Sequence, residues 1–299
     1  MKLHGIVPAC VTPFIDQQAS PEAMQANIAR WLKTGVHGFL IFGSTGEFMY
    51  LTDEERRAVL QAARTAIPED RFLLAGCGAE STEKTLQNLK WAAEDGADAA
   101  LVVTPVYYTR GKTEAQRLHF LALANESPIP LLLYTVPAFT AYDLPLDLIQ
   151  ELAAHPNIVG IKDSSGDLKR VALQIGIQEG QQFTLFAGSP NLAYPALSMG
   201  AAGSITAFSN IIPELMVALW QAVQDEEMAR AAALQRAVTD LHGKIGPMGI
   251  PAIKALLNYR GFQAGEPRAP LAPLDNASRE MAIAAWKQAM GICEWWKQA

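Results

Sequence analysis

Ile158-Val159-Gly160-Ile161 is an unbroken apolar run, Lys162 ends it, and Asp163-Ser164-Ser165-Gly166-Asp167 follows as a polar turn. Such a run reads as a buried strand that delivers a lysine to its mouth. An ammonium group held there sheds much of its hydration, which favours the uncharged amine, a nucleophile toward carbonyls. Position alone favours a strand-end lysine whose chain snorkels to solvent. The residues elsewhere in the chain favour the chemical reading.

Working outward, β-rich runs of similar length recur at 5–10, 38–42, 71–76, 99–103, 129–134, 158–162, 183–187 and 203–206. Longer stretches with helical periodicity separate them, among them 21–34, 52–66, 81–93 and 144–154. The second of these opens Thr52-Asp53-Glu54-Glu55, a capping-box pattern. Eight βα units predict an α/β fold, a closed (β/α)8 TIM barrel. A doubly wound open sheet shares the alternation, but no strand runs into a Gly-rich dinucleotide fingerprint. After Pro213 the β-rich runs stop. The stretch 214–239 reads as one alanine-rich helix, 246–251 as a break, and 252–259 and 277–296 as further helices. The chain therefore divides into a catalytic barrel over 1–225 and a C-terminal helical extension over 226–299. The Pro- and Gly-containing segment 261–274 reads as a surface loop.

Composition narrows the function. The chain has 299 residues, half of them hydrophobic, enough for one large core. A net charge of −6 and the lack of any lysine or arginine run argue against nucleic acid. The first residues are too short and interrupted for a signal peptide, and no apolar stretch reaches membrane-spanning length, which predicts a cytoplasmic protein. Cys10, Cys77 and Cys293 lack CxxC spacing and read as buried free thiols. The five histidines, His4, His37, His119, His155 and His242, show neither HxH nor HExxH spacing, so no metal is expected.

In a barrel of this kind the chemistry lies at the carboxyl ends of the strands. There the sequence places Gly43-Ser44-Thr45-Gly46-Glu47, a tight turn with amides and hydroxyls that could cradle a carboxylate. It also places Thr104-Pro105-Val106-Tyr107-Tyr108 and Tyr134-Thr135-Val136-Pro137. A tyrosine at a strand mouth can move protons, although each taken alone reads rather as an amphipathic wall residue. Gly188 and the Gly203-Ser204-Ile205 run leave room for a small substrate, or simply allow close packing. Glu47 is read as an acid favoured by a helix dipole.

In their order and spacing, GSTGE at 43–47, TPVYY at 104–108, LYTVP at 133–137 and GIKDSSGD at 160–167 resemble the pyruvate-dependent class I aldolases. That group includes dihydrodipicolinate synthase and N-acetylneuraminate lyase, and the resemblance covers nearly the whole chain. Within it, Ser127-Pro128-Ile129-Pro130, Tyr142-Asp143-Leu144-Pro145, Gly249-Ile250-Pro251 and Arg268-Ala269-Pro270-Leu271 are similar to 4-hydroxy-2-oxoglutarate aldolase.

The resemblance implies a homotetramer, a dimer of dimers, whose only partner in catalysis is a small 2-oxo acid. It implies no cofactor, the substrate being held as an imine on Lys162. Tyr134 is then the acid–base, and Ser44, where many relatives have threonine, relays protons to a tyrosine of a neighbouring subunit. Tyr108 is assigned that part, with Tyr107 the alternative because this TPVYY carries one more residue than the TPYY of dihydrodipicolinate synthase. Thr45 and Gly46 would hold the first carboxylate, and Ser164 the second carboxylate or the 4-hydroxyl. Gly188 and Ile205 would line the pocket. Phe139 stands where dihydrodipicolinate synthase has an arginine for its aldehyde's carboxylate, a bidentate link that a phenyl ring cannot replace.

The expected reaction is retro-aldol cleavage of a 4-hydroxy-2-oxo acid to pyruvate and an aldehyde such as glyoxylate. The alternatives are a 2-keto-3-deoxy-sugar-acid aldolase or dehydratase, a synthase-like condensation, and a non-catalytic paralogue that binds an oxo acid.

Overall fold

The strands are apolar at nearly every position because both of their faces are covered. The computed structural model describes residues 3–178 and 183–298, apart from the side chains of 178 and 293–298. Eight parallel strands form one sheet: β1 (Gly5–Pro8), β2 (Gly38–Ile41), β3 (Phe72–Gly76), β4 (Ala99–Val103), β5 (Leu131–Thr135), β6 (Ile158–Asp163), β7 (Thr184–Ala187) and β8 (Gly203–Thr206). Each pairs with its sequence neighbour, β8 returns to β1, and a parallel bridge between Ala9 and Leu40 joins the two ends. The sheet is thus a barrel, a TIM fold, as the alternation predicts.

Alternation along the strands divides the core. Val7, Leu40, Leu74, Leu101, Leu132, Phe186 and Ile205 fill the barrel interior. Ile6, Phe39, Ile41, Leu73, Val102, Leu133 and Ile161 face the surrounding helices. Those helices are α1 (Pro21–Leu32), α2 (Asp53–Ala66), α3 (Thr82–Glu94), α4 (Thr113–Glu126), α5 (Leu146–Ala153), α6 (Leu168–Gln178), α7 (Ala193–Ser198) and α8 (Pro213–Gln224). The capping box is present as read: Glu55 N donates to Thr52 Oγ1 at 3.2 Å and Thr52 N to Glu55 Oε2 at 3.0 Å.

One irregularity positions the site. Leu131 pairs with Ile158 but Leu132 pairs with Gly160, so β6 carries an extra residue, Val159. Strict alternation from the outward-facing Ile158 would turn Lys162 toward the helices. The bulge reverses that parity and sets Lys162 opposite Tyr134 inside the barrel. Gly160 is required beside it, because a Cβ there would overlap the Thr184 carbonyl.

The C-terminal part departs from the sequence reading in two places. The predicted single helix over 214–239 is two, α8 and α9 (Met228–Ile245), separated at Asp225-Glu226-Glu227, where Glu226 takes φ +59°. A 3-10 turn, Gly246–Met248, leads into α10 (Gly249–Tyr259), and α11 (Asn276–Gln298) packs on α9 and α10. The segment 261–274 is a surface loop only in its second half. Phe262 and Ala264 are buried, and Gln263 N donates to Asn27 Oδ1 at 2.8 Å. Residues 262–268 therefore form a strap across the start of the barrel.

Candidate active site

Lys162 is 4% exposed at the end of β6, too deep to be a snorkelling lysine. Its Nζ lies 4.4 Å from the centre of the Tyr134 ring on β5. Tyr134 is itself buried, and Thr104 Oγ1 donates to its carbonyl at 3.3 Å. A cation or amine over an aromatic face is held without a competing carboxylate.

Above this pair sits the turn that follows β2. Phe42, a bulky buried residue, adopts φ +63°, a strained conformation at the start of the turn that carries Gly43 and Ser44. Ser44–Gly46 is a single 3-10 turn, and Thr12 Oγ1 donates to its Gly46 carbonyl at 2.7 Å. Ser44 and Tyr134 border the same small void. Thr45 is half-buried beside them. Glu47 is not a helix-dipole acid. It lies between two 3-10 turns at φ +53°, and its fully buried carboxylate stands 2.7 Å from Lys254 Nζ.

The turn after β6 is fixed by Asp163, which the sequence reading passed over. Its Oδ1 accepts from Ser165 N at 2.7 Å and Ser165 Oγ at 2.5 Å, and its Oδ2 from Arg170 Nε at 3.0 Å and Gln174 Nε2 at 2.6 Å. All of its accepting capacity is thereby committed to structure. Ser164 is anchored through its amide to Thr135 O at 3.0 Å, and its hydroxyl lies against Gly188, where a Cβ would displace it. Ile205, on β8, is fully buried.

A cleft of about 340 Å³ opens beside the turn, lined by Ser44, Phe48, Val103, Pro105, Val136, Phe139, Thr140 and Ile250 among others. Its charged lining residues are Glu47 and Glu80, with no lysine, arginine or histidine. Phe139 is 73% exposed at its rim. Tyr107 and Tyr108 stand edge to face, their ring centres 4.8 Å apart and 79% and 76% exposed. Neither borders the cleft or the void at Tyr134. Their loop is held by Glu80, whose carboxylate accepts from Val106 N at 3.1 Å and Tyr107 N at 2.8 Å. Among the described residues no group of three or more His, Cys, Asp or Glu is placed to hold a metal ion.

The profile of the Dihydrodipicolinate synthetase family matches residues 2–289. The chain belongs to this family. It is accordingly a Schiff-base-forming, pyruvate-dependent lyase or aldolase of class I. The 4-hydroxy-tetrahydrodipicolinate synthase of Methanoculleus marisnigri is 38% identical over 282 residues, covering 93% of this chain and 96% of its own. The solved 4-hydroxy-tetrahydrodipicolinate synthase of Methylacidiphilum fumariolicum superposes with a TM-score of 0.91 at 28% identity, over 98% of this chain and 99% of that one. A prophage protein of the same family from E. coli K12, solved in complex with pyruvate, does so at 0.90 and 28%, over 96% and 98%.

The thiols of Cys10 and Cys77 are buried and unpaired, and burial pushes the Cys77 thiol up to about 12 and that of Cys10 still higher. Neither supplies a thiolate nucleophile. Cys293 lies outside the described side chains. Among the described residues no helix is long and apolar enough to cross a membrane.

Proposed function

We propose that this enzyme cleaves a 4-hydroxy-2-oxo acid, of the 4-hydroxy-2-oxoglutarate type, into pyruvate and an aldehyde such as glyoxylate, through an imine on Lys162. The observation that carries the reading is the buried Lys162 amine set over the Tyr134 ring by the β6 bulge, with Ser44 bordering the void at Tyr134. The uncharged Nζ adds to the C2 carbonyl, water leaves, and the protonated imine becomes an electron sink. Tyr134, relayed through Ser44, takes the C4 hydroxyl proton as the C3–C4 bond breaks and the aldehyde departs. The bond's electrons form an enamine, which is protonated at C3 and hydrolysed to pyruvate and free Lys162. Thr45 and the turn amides hold the carboxylate next to C2, and Ser164 meets the far end of the substrate.

The outward-facing pair Tyr107 and Tyr108 suits a relay completed by a second copy of the chain, in a homotetramer, with one of the two reaching the neighbour's Tyr134. A second reading, condensation of pyruvate with the aldehyde of a 4-hydroxy-tetrahydrodipicolinate synthase, is favoured by the names of the relatives. Phe139 at the cleft rim supplies no guanidinium for that aldehyde's carboxylate, and in the cleavage reading the distal carboxylate is met by Ser164 instead.

Intact mass after incubation with pyruvate and borohydride tests the imine. A pyruvyl adduct is expected on the wild-type chain and none on Lys162→Ala, which also loses turnover. An adduct on Lys162→Ala would refute the assignment. Release of pyruvate and glyoxylate from 4-hydroxy-2-oxoglutarate then separates cleavage from condensation.

A further inference from the structure

The turn that carries Ser44 and Thr45 is held in place from the far end of the chain. Lys254 on α10 and Glu47 form an ion pair at 2.7 Å with both side chains fully buried. The same ammonium donates to Glu266 O at 3.1 Å and stands 4.2 Å over the Phe14 ring. Arg268, on the strap, donates its backbone N–H to the other Glu47 oxygen at 2.8 Å. The Arg268 guanidinium in turn pairs with Glu55 and donates to Tyr50 O at 2.7 Å, tying the strap to the start of α2. Glu47 itself is in the left-handed region, a conformation that a non-glycine residue keeps only when its surroundings impose it.

A buried ion pair is a poor way to gain stability, since apolar residues of the same volume serve as well or better. What it supplies is a fixed geometry, because two desolvated charges tolerate only one arrangement. We infer that the Glu47–Lys254 pair positions the Ser44–Thr45 turn to receive the pyruvate carboxylate, so that residues of the C-terminal part set the enzyme's affinity for its 2-oxo acid. This rests on the pyruvate-aldolase reading above. Glu47 borders the cleft, but its two carboxylate oxygens are taken by Lys254 Nζ and Arg268 N, so both members of the pair are positioning residues, and their loss weakens binding while leaving Lys162 and Tyr134 in register.

The experiment is borohydride trapping of pyruvate by the full-length protein over a range of pyruvate concentrations, with thermal unfolding measured in parallel. Two variants are compared with wild type. Glu47→Gln keeps the shape and the acceptor for Arg268 N, and Glu47→Gln/Lys254→Met removes both charges so that neither is stranded. The half-saturating pyruvate concentration is expected to rise about tenfold or more, with the trapping rate at saturation within about threefold of wild type. Wild-type half-saturation in both variants would overturn the inference. So would a parallel fall in saturating rate, affinity and melting temperature, the mark of general loosening. A wild-type chain that forms no adduct would remove the aldolase reading and this inference with it, an outcome distinct from the other two.

Discussion

In the proposed mechanism the Tyr134 ring and the Tyr134 hydroxyl have separate tasks, and a single substitution divides them. Tyr134→Phe keeps the aromatic face that lies 4.4 Å from Lys162 Nζ, so the lysine stays where β6 puts it. Removing the hydroxyl takes away the group that moves the C4 proton. The expected outcome is borohydride trapping of pyruvate close to wild type, with aldol turnover lowered by about 100- to 10,000-fold, the usual range for lost general acid–base help. Turnover within a few fold of wild type, measured as pyruvate release, would mean that another group moves the proton. Lys162 itself was legible in the sequence, because an apolar run ending on a lysine is a local pattern. Its depth was legible only as an expectation, and Asp163 was not legible at all. Four donors from three separate positions converge on that carboxylate, and nothing in the KDSSGD string distinguishes it from a solvated acid.

Strand β6 shows how one backbone irregularity governs the chemistry. Gly160 lies between the bulge and Lys162, and its missing Cβ allows β7 to approach at the Thr184 carbonyl. Gly160→Ala must push the two strands apart or tilt β6, and either movement carries Lys162 with it. Overpacking of this kind costs about 1–3 kcal/mol, which for a chain of this size lowers the melting temperature by several degrees. A fall of at least about tenfold in kcat/KM is expected alongside, since catalytic groups tolerate little displacement. Full activity in a Gly160→Ala protein with an unchanged melting temperature would show that the strand has slack. The existence of each strand was legible because both faces are buried and the runs are apolar throughout. The bulge was not, because the parity of a strand is defined by its neighbour. The break at Asp225-Glu226-Glu227 was hidden for a related reason: the two glutamates suit a helix, and only the packing of α9 back onto α8 demands the turn. The strap was misread because its anchors, Asn27, Glu47 and Glu55, lie more than two hundred residues away.

The barrel as a whole is built to be stable at neutral pH and to fail in two stages on acidification. His37, at the foot of the barrel beside Trp220, has its pKa lowered to about 4 by burial first and then by the charges of His4 and Arg71, and its Nδ1 accepts the Ile6 N–H at 3.1 Å. Burial alone lowers that of His119 to about 4, between α3 and α4. Between these values and the ordinary 6.5, the unfolded chain binds a proton at each ring and the folded chain does not. Their contribution is therefore complete above pH 6.5 and is lost as pH falls toward 4, at about 1.4 kcal/mol per pH unit for each ring before solvent screening at the half-buried His37. Glu55 follows in a lower window. The Arg268 guanidinium, helped by the amides of Thr52 and Ala19, holds its carboxyl down at about 2 against an ordinary 4.5, so its stabilisation is present above 4.5 and disappears toward pH 2. Melting temperature is expected to fall with one slope from pH 6.5 to 4 and to keep falling below 4.5 as the strap loses its hold on α2. His119→Gln, which offers Thr82 a hydrogen-bonding partner without a titrating ring, should make the upper stage about half as steep, leaving the His37 share and the lower stage intact. Arg268→Gln should do the reverse, because it removes the charge that depresses Glu55 and leaves both histidines buried. Identical pH profiles for wild type and His119→Gln between pH 4 and 6.5 would place the acid sensitivity elsewhere in the fold.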